Sequence, residues 1–225
     1  MQITEANCKQ CGTAQRPENF AFSTPDFWYG VPGEYSLYQC HNCGLYFQFP
    51  YPTLEEIDSF YPPSYSPYER AIEDEPSLFS RLNRRYAQNK RVRLLQGIAG
   101  RTGSVLDVGC ATGVLLDGLR ASGWSATGVE LNDEAAAYGR DRFGLDIKTG
   151  TLETVDLPAN SFDLVMMWNV LEHVPDPAEA LAQLNTVTKT GGRLVLNLPD
   201  PESICLLYTS PSPRDQRGSR MPSSA

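Results

Sequence analysis

Basic charge, histidine and long apolar runs are all scarce in this sequence, and each shortage removes a class of function. Asp and Glu outnumber Lys and Arg by 27 to 19, giving a formal net charge of −8 and a pI near 4.8. A surface of that sign does not neutralise phosphates, so nucleic acid is not expected as a partner. No stretch approaches the roughly 20 consecutive apolar residues that cross a bilayer, and no membrane partner is expected. The start, MQITEANCKQC, lacks the basic and apolar regions of a secretory leader, so the expected location is the cytoplasm. Of the two histidines, His41 sits between cysteines, which leaves His173 for acid–base work in the larger part of the chain. What remains, 225 residues of which 41% are hydrophobic, suits one sizeable domain plus a small module.

Six cysteines without an export signal point to metal or site chemistry before disulfides. Four are paired by spacing: Cys8 with Cys11 in CKQCG, and Cys40 with Cys43 in CHNCG. Two thiolates on one tight turn reach the same ion, and two such knuckles complete the four-sulfur tetrahedron that zinc favours. Gly12 and Gly44 follow the second cysteine of each pair and suit the left-handed position of a knuckle turn. The competing reading is four free thiols in a loop-rich extension. A closed four-cysteine site has no open position for substrate, so its expected role is structural. His41 could serve as a substitute ligand, but with four cysteines present a solvent-facing spacer is the preferred reading; EYSLYQC is read as a short strand entering the second knuckle. The aromatic, proline-rich stretch that follows is read as extended chain, a short helix around Leu54 to Phe60, then loop. Its tyrosines could line a substrate entrance; packing against the ribbon is the preferred reading.

Leu78, Leu82, Val92, Leu95 and Ile98 recur at near-helical spacing, with Ser77 as N-cap and Gly100 as stop. The basic residues of this helix, Arg81, Arg84, Arg85, Lys90, Arg91 and Arg93, are read as a solvated face. Strand and helix then alternate. SVLDVGC, SATGVELN, LDIKTGT, FDLVMMW and RLVLNLPD read as strands. GVLLDGLRASG, DEAAAYGRDRFG and part of DPAEALAQLNTVTKTGG read as helices, the last with a glycine stop. Such alternation predicts a parallel sheet with helices on both faces and a ligand at the carboxyl ends of its strands.

The stretch DVGCATG ends the first of these strands. Gly109 and Gly113 let backbone approach a ligand closely, as any nucleotide-type cofactor requires. A dinucleotide fingerprint would place glycines where this chain has Ala111 and Val114. Asp107 also puts negative charge where a pyrophosphate would sit, which favours a cationic ligand and argues against an NAD-dependent oxidoreductase.

VLDVGCATG, Glu130 in GVELN, LPANSFDLVMMWNVLEHVPDP and TKTGGRLVLNLP, in that order, resemble the class I S-adenosylmethionine (SAM)-dependent methyltransferases over roughly Gly103 to Asp200. The fold implied is α/β, a Rossmann-like doubly wound sheet, preceded by a small zinc ribbon. The resemblance implies that Asp107 orients the cofactor's methionine portion while Gly109, Cys110, Ala111 and Gly113 form the close-approach loop. Cys110 contributes only a small side chain, not a nucleophile. Glu130 is implied to accept hydrogen bonds from the ribose hydroxyls, Leu131 to pack on adenine, and Leu152 and Glu153 to contact the adenine ring. Trp168 and Asn169 are implied to border the methyl donor. Glu153 reads about as well as an ordinary surface carboxylate.

Methyl transfer from a sulfonium is a displacement with an activated leaving group, so alignment supplies most of the acceleration. His173 is the candidate base for a hydroxyl acceptor, against a structural role at a helix end. Some related quinone-precursor O-methyltransferases hold a divalent cation with an acid at the position of Asn169 together with the Glu and His of LEH. Glu172 and His173 match that set and Asn169 does not, so no second metal is expected. The acceptor is expected to be a small molecule, a sugar or another metabolite. The rival reading is a zinc-ribbon interaction protein on a non-catalytic methyltransferase-like scaffold, which the intact Asp107, Gly109, Gly113 and Glu130 oppose.

Residues 1–50 are thus expected to form the zinc-ribbon module, 51–100 a linker with helices, and 101–204 the SAM-binding domain, ending early after its fifth strand. From Cys205, CLLYTSPSPRD and SRMPSSA match the in-frame translation of a transposase-type sequencing adapter. Residues 205–225 are therefore expected to be an adapter-derived artefact, with the genuine protein ending near Ser203 or Ile204. They carry three arginines and one aspartate, so the remainder is more acidic than the whole. Without further strands the fifth strand would be an exposed apolar edge, an aggregation liability.

Overall fold

A computed structural model describes residues 7–25, 32–50 and 71–199. The expected helix at Leu54 to Phe60, the tyrosines around it and the adapter-like tail lie outside these residues. The chain divides into two compact units, an N-terminal one and a larger one, Pro63–Leu198.

In the N-terminal unit three short strands, β1 (Phe20–Thr24), β2 (Tyr35–Gln39) and β3 (Tyr46–Gln48), form an antiparallel sheet in sequence order. β2 is the strand expected in EYSLYQC. Tyr38 and Phe47 stack over the buried Cys8 and Cys40, and Phe20 meets Tyr38 edge to face with ring centres 5.6 Å apart. So small a sheet buries little else, which leaves the cysteine turns a large share of its interior.

The larger unit begins with the helix α1 (Leu78–Ala99), capped by the Ser77 hydroxyl and ended by Gly100 in the left-handed conformation. Its apolar face differs from the expected one. Val92 and Leu95 are buried, while Leu78, Leu82 and Ile98 are exposed: the first half of the helix does not reach the core, and Ile98 lies at its last turn beyond the packed stretch. α1 therefore shares a core with the sheet, although its sequence was assigned to the linker region.

There follow β4 (Ser104–Val108), α2 (Val114–Ala121), β5 (Ser125–Glu130), α3 (Asp133–Phe143), β6 (Asp146–Thr149), β7 (Phe162–Trp168), α4 (Pro177–Val187) and β8 (Thr188–Asn197). The strands pair in parallel in the order β6-β5-β4-β7-β8. One face buries Val105, Leu164 and Met166 under α1, α2 and α3; the other buries Leu106, Val165 and Met167 under α4. Helices on both faces confirm the doubly wound architecture. Strand order reverses direction at β4, between its neighbours β5 and β7, and a crevice for ligand opens outside the carboxyl ends at such a point.

The glycine stop expected after α4 is corrected. The helix ends at Thr188, whose hydroxyl donates to the Leu184 carbonyl at 2.6 Å, and β8 starts there at once. The β-branched run around Val187 and Thr188 favours strand. Gly191, with φ 80°, lies inside β8, at the register shift opposite Phe162 and Leu164. At the opposite end of the sheet from the crevice, Asp163 accepts from Ser104 N and from the Lys189 ammonium at 2.9 and 2.8 Å, tying β4, β7 and β8 together. Those donors hold its carboxyl well below the usual carboxylate range.

Candidate functional site

The loop after β4 is fixed by backbone before any side chain acts. Gly109 and Cys110 both donate to the Val129 carbonyl, at 2.7 and 3.1 Å, so the loop is pinned to the end of β5. Gly109 and Gly113 have φ of 76° and 77°. A Cβ on Gly109 would lie 2.4 Å from Val170 Cγ2, and one on Gly113 would lie 2.6 Å from Leu145 Cδ1. Both glycines are required by conformation and by neighbouring side chains of the fold itself. Ala111, between them, also takes a positive φ, 49°.

Two carboxylates meet at this loop. Glu130, ending β5, accepts from Ala111 N at 2.8 Å through one oxygen and from Asn132 N at 2.9 Å through the other. Asp107, on β4, is 4% exposed, and its Oδ1 is buried with no hydrogen-bond partner. Burial first, and then the charge of Glu130, push the Asp107 carboxyl up to about 8; burial also raises Glu130. A buried acid lacking a donor, beside a second acid, is a site built for positive charge.

The remaining residues are distributed unevenly around this pair. Cys110 turns into the core, where its sulfur occupies the space a Cβ on Gly128 would need at 2.6 Å, so only its backbone faces the loop. Burial raises its thiol far above the ordinary range, as befits an inert filler. Leu131 is 46% exposed directly after Glu130 and offers an apolar surface. Leu152 instead packs against the α4-side core, and Glu153 points to solvent in the following turn.

Trp168 ends β7 on the same sheet face as Met166, and Asn169 follows with φ 54°, its N–H donated to the Asn197 carbonyl at 3.0 Å. The Arg91 guanidinium of α1 lies 5.6 Å from the centre of the Trp168 ring, a cation–π distance. Sequence reasoning missed this residue, since Arg91 looks like any other member of a solvated basic face. Its distinguishing sign is adjacency to Val92, the first buried residue of α1.

His173 closes a single helical turn, Leu171–His173, just past Trp168. Its side chain is 45% exposed, with Nε2 3.9 Å from Glu172 Oε1. Partial burial lowers the imidazole pKa and raises that of Glu172, which favours the neutral ring.

In the N-terminal unit the four knuckle cysteines converge, with their sulfurs within 4.8 Å of one another. Cys8 and Cys43 are 3.7 Å apart, and Cys11 and Cys40 are 3.6 Å apart. Disulfide sulfurs would be about 2 Å apart. Sulfurs placed about 2.3 Å from a central ion are separated by about 3.8 Å in a tetrahedron, so these four fit a metal ion. Gly12 and Gly44 take the left-handed φ of 70° and 76°, and His41 is exposed outside the cluster.

A family model described as a methyltransferase domain matches residues 79–224. An uncharacterised 37.1 kDa protein in a Streptomyces fradiae transposon is 32% identical over 63% of this chain and 44% of its own length. The ubiquinone biosynthesis O-methyltransferase of Pseudomonas paraeruginosa is 34% identical over 45% of each chain. The chain thus spans about half the length of the curated relatives it matches. Among solved structures, the PH0226 protein of Pyrococcus horikoshii superposes with a TM-score of 0.50 at 18% identity, covering 63% of this chain and 64% of that one; this is a likeness of fold. With the glycine loop, the paired acids and the strand order in place, a match over more than half its length makes this chain a member of the class I SAM-dependent methyltransferase family.

Proposed function

We propose that the protein transfers the methyl group of SAM to an oxygen of a small-molecule acceptor, with zinc at the four cysteines in a structural role. One observation carries the reading: the buried, unpartnered Oδ1 of Asp107 beside the glycine loop. A sulfonium cofactor bearing an amino-acid end supplies both an activated methyl group and an ammonium able to satisfy that oxygen.

Asp107 then holds the ammonium, and Arg91, a cation at the carboxyl edge of the sheet, faces the cofactor's carboxylate. Glu130 spends one lone pair per oxygen on Ala111 and Asn132 and keeps the others for ribose hydroxyls. Leu131 covers the adenine, with Leu152 and Glu153 in the turn beyond it. Trp168 and Asn169 close the donor side. The acceptor would approach past Trp168 and Asn169, on the β7 and β8 side of the donor.

When bound, SAM would supply a methyl group on an activated sulfonium, and the residues of the chain would align an acceptor oxygen with it. The hydroxyl proton passes to neutral His173 or to water. The relative named as an O-methyltransferase supports oxygen as the acceptor atom. Zinc suits four thiolates at these separations, and a closed four-sulfur site supports the ribbon without entering the reaction.

The test is incorporation of label from methyl-tritiated SAM into a metabolite extract by the purified protein. Label in a small molecule, lost with Glu130→Ala, supports the reading. A folded protein that binds SAM and labels nothing returns the scaffold reading. For His173→Ala, a loss of about 100-fold in turnover near neutral pH, shrinking as pH falls and the wild-type imidazole becomes protonated, is expected for a base; near-normal turnover across pH removes that role.

A further inference from the structure

We propose that Gln15 is the residue that holds Cys40 as a metal-bound thiolate, donating a side-chain hydrogen bond to its sulfur from outside the ligand set. The proposal rests on the reading of the four cysteines as a metal site.

The two knuckles are near copies of each other. Cys8 donates to the Thr13 carbonyl and Cys40 to the Leu45 carbonyl, while Gly12 and Gly44 donate back to Cys8 and Cys40 at 2.8 Å each. Backbone N–H groups of Gln10 and Cys11 point at the Cys8 sulfur, and those of Asn42 and Cys43 at the Cys40 sulfur. The copies diverge two residues beyond Thr13 and Leu45. There the second knuckle has buried Phe47, and the first has Gln15, only 7% exposed.

The Gln15 Nε2 donates to the Thr13 carbonyl at 2.6 Å and to Cys40 Sγ at 3.4 Å. Its Oε1 is buried with no partner. The orientation is dictated by chemistry, since the flipped amide would set its oxygen against a carbonyl and a thiolate. A buried carbonyl left unsatisfied is tolerated where the amine end is required. Four thiolates around a dication leave two excess negative charges, and a buried donor offsets part of that excess at the sulfur it reaches. Gln15 also joins the two knuckles, one through Thr13 and the other through Cys40, so it positions the second cysteine pair relative to the first.

The experiment uses the full chain loaded with cobalt(II) as a spectroscopic probe and with zinc in competition against a chromogenic chelator. The wild type should give the intense thiolate-to-cobalt absorption of a tetrahedral four-sulfur site. Gln15→Leu should shift that band to longer wavelength, since a sulfur without its hydrogen bond gives up electron density more easily. It should also weaken zinc binding about 10- to 100-fold. Gln15→Glu, which sets a negative charge at the sulfur, should weaken binding further. If Gln15→Leu loses the ribbon's amide spectrum, Gln15→Met keeps the chain length and takes its place. An unmoved band with zinc affinity within twofold of wild type overturns the role of Gln15 and leaves the metal site standing. Absence of the band in the wild type overturns the metal reading itself, and the proposal with it.

Discussion

Asp107 shows most sharply how residue type, burial and function conflict in the unliganded domain. Its carboxyl is raised to about 8 from an ordinary value near 3.8, so the folded state holds a proton that the unfolded chain releases. Between those values stability must fall as pH rises, because the native state binds more protons. We expect the melting temperature of the ligand-free protein to drop from pH 5 to pH 8, and Asp107→Asn to remove most of that slope while raising stability at pH 8. Gly109→Ala should cost more than about 1 kcal/mol in urea unfolding, since its φ is positive and the new methyl would meet Val170. The loop and both acids could be read from sequence, because their types are dictated by local backbone and charge. The Arg91–Trp168 pair could not, since 77 positions separate partners that only the tertiary fold brings together.

At the scale of elements, boundaries set by side-chain chemistry were the readable ones. Ser77 and Gly100 delimit α1 as expected; for α4 the structure adds a cap not singled out from the sequence, Asp176, which accepts from Ala178 and Glu179 at 3.1 and 3.0 Å. Asp176→Ala should lower unfolding free energy by about 1 kcal/mol without changing the urea m-value. The α4–β8 junction was misread because glycine is ambiguous: it ends helices, and it also relieves crowding at a β-bulge. Here Gly191 does the second. α1 was misread for a different reason. Periodicity identifies an apolar face without saying how much of it meets a partner, and Val92 and Leu95 meet the sheet where Leu78 and Leu82 do not. The ribbon's sulfur cluster was fully legible from two C-x2-C spacings, whereas Gln15 carried no local signature at all.

At the scale of the whole molecule, the strand order β6-β5-β4-β7-β8 sets Glu130, Asp107 and Trp168 side by side at the carboxyl ends of β5, β4 and β7, and on the proposed reading these would face the ribose, the charged end and the methyl group of the cofactor in turn. Among the described residues β8 pairs on one side only, and Leu194 and Leu196 are exposed along it, with exposed Leu198 just past its end. Leu196→Lys should therefore reduce concentration-dependent association in sedimentation experiments without altering cofactor affinity. The central claim is that Asp107 exists to receive a cation. It is tested most directly by calorimetric titration of S-adenosylhomocysteine at pH 7 in two buffers of different ionisation enthalpy, on wild type and on Asp107→Asn. The account predicts release of close to about one proton on binding to wild type, as the ammonium draws the carboxyl back to its charged form. For Asp107→Asn it predicts no proton release and affinity at least about tenfold weaker. Equal affinities with no proton exchange, or no binding by folded wild-type protein, would contradict it.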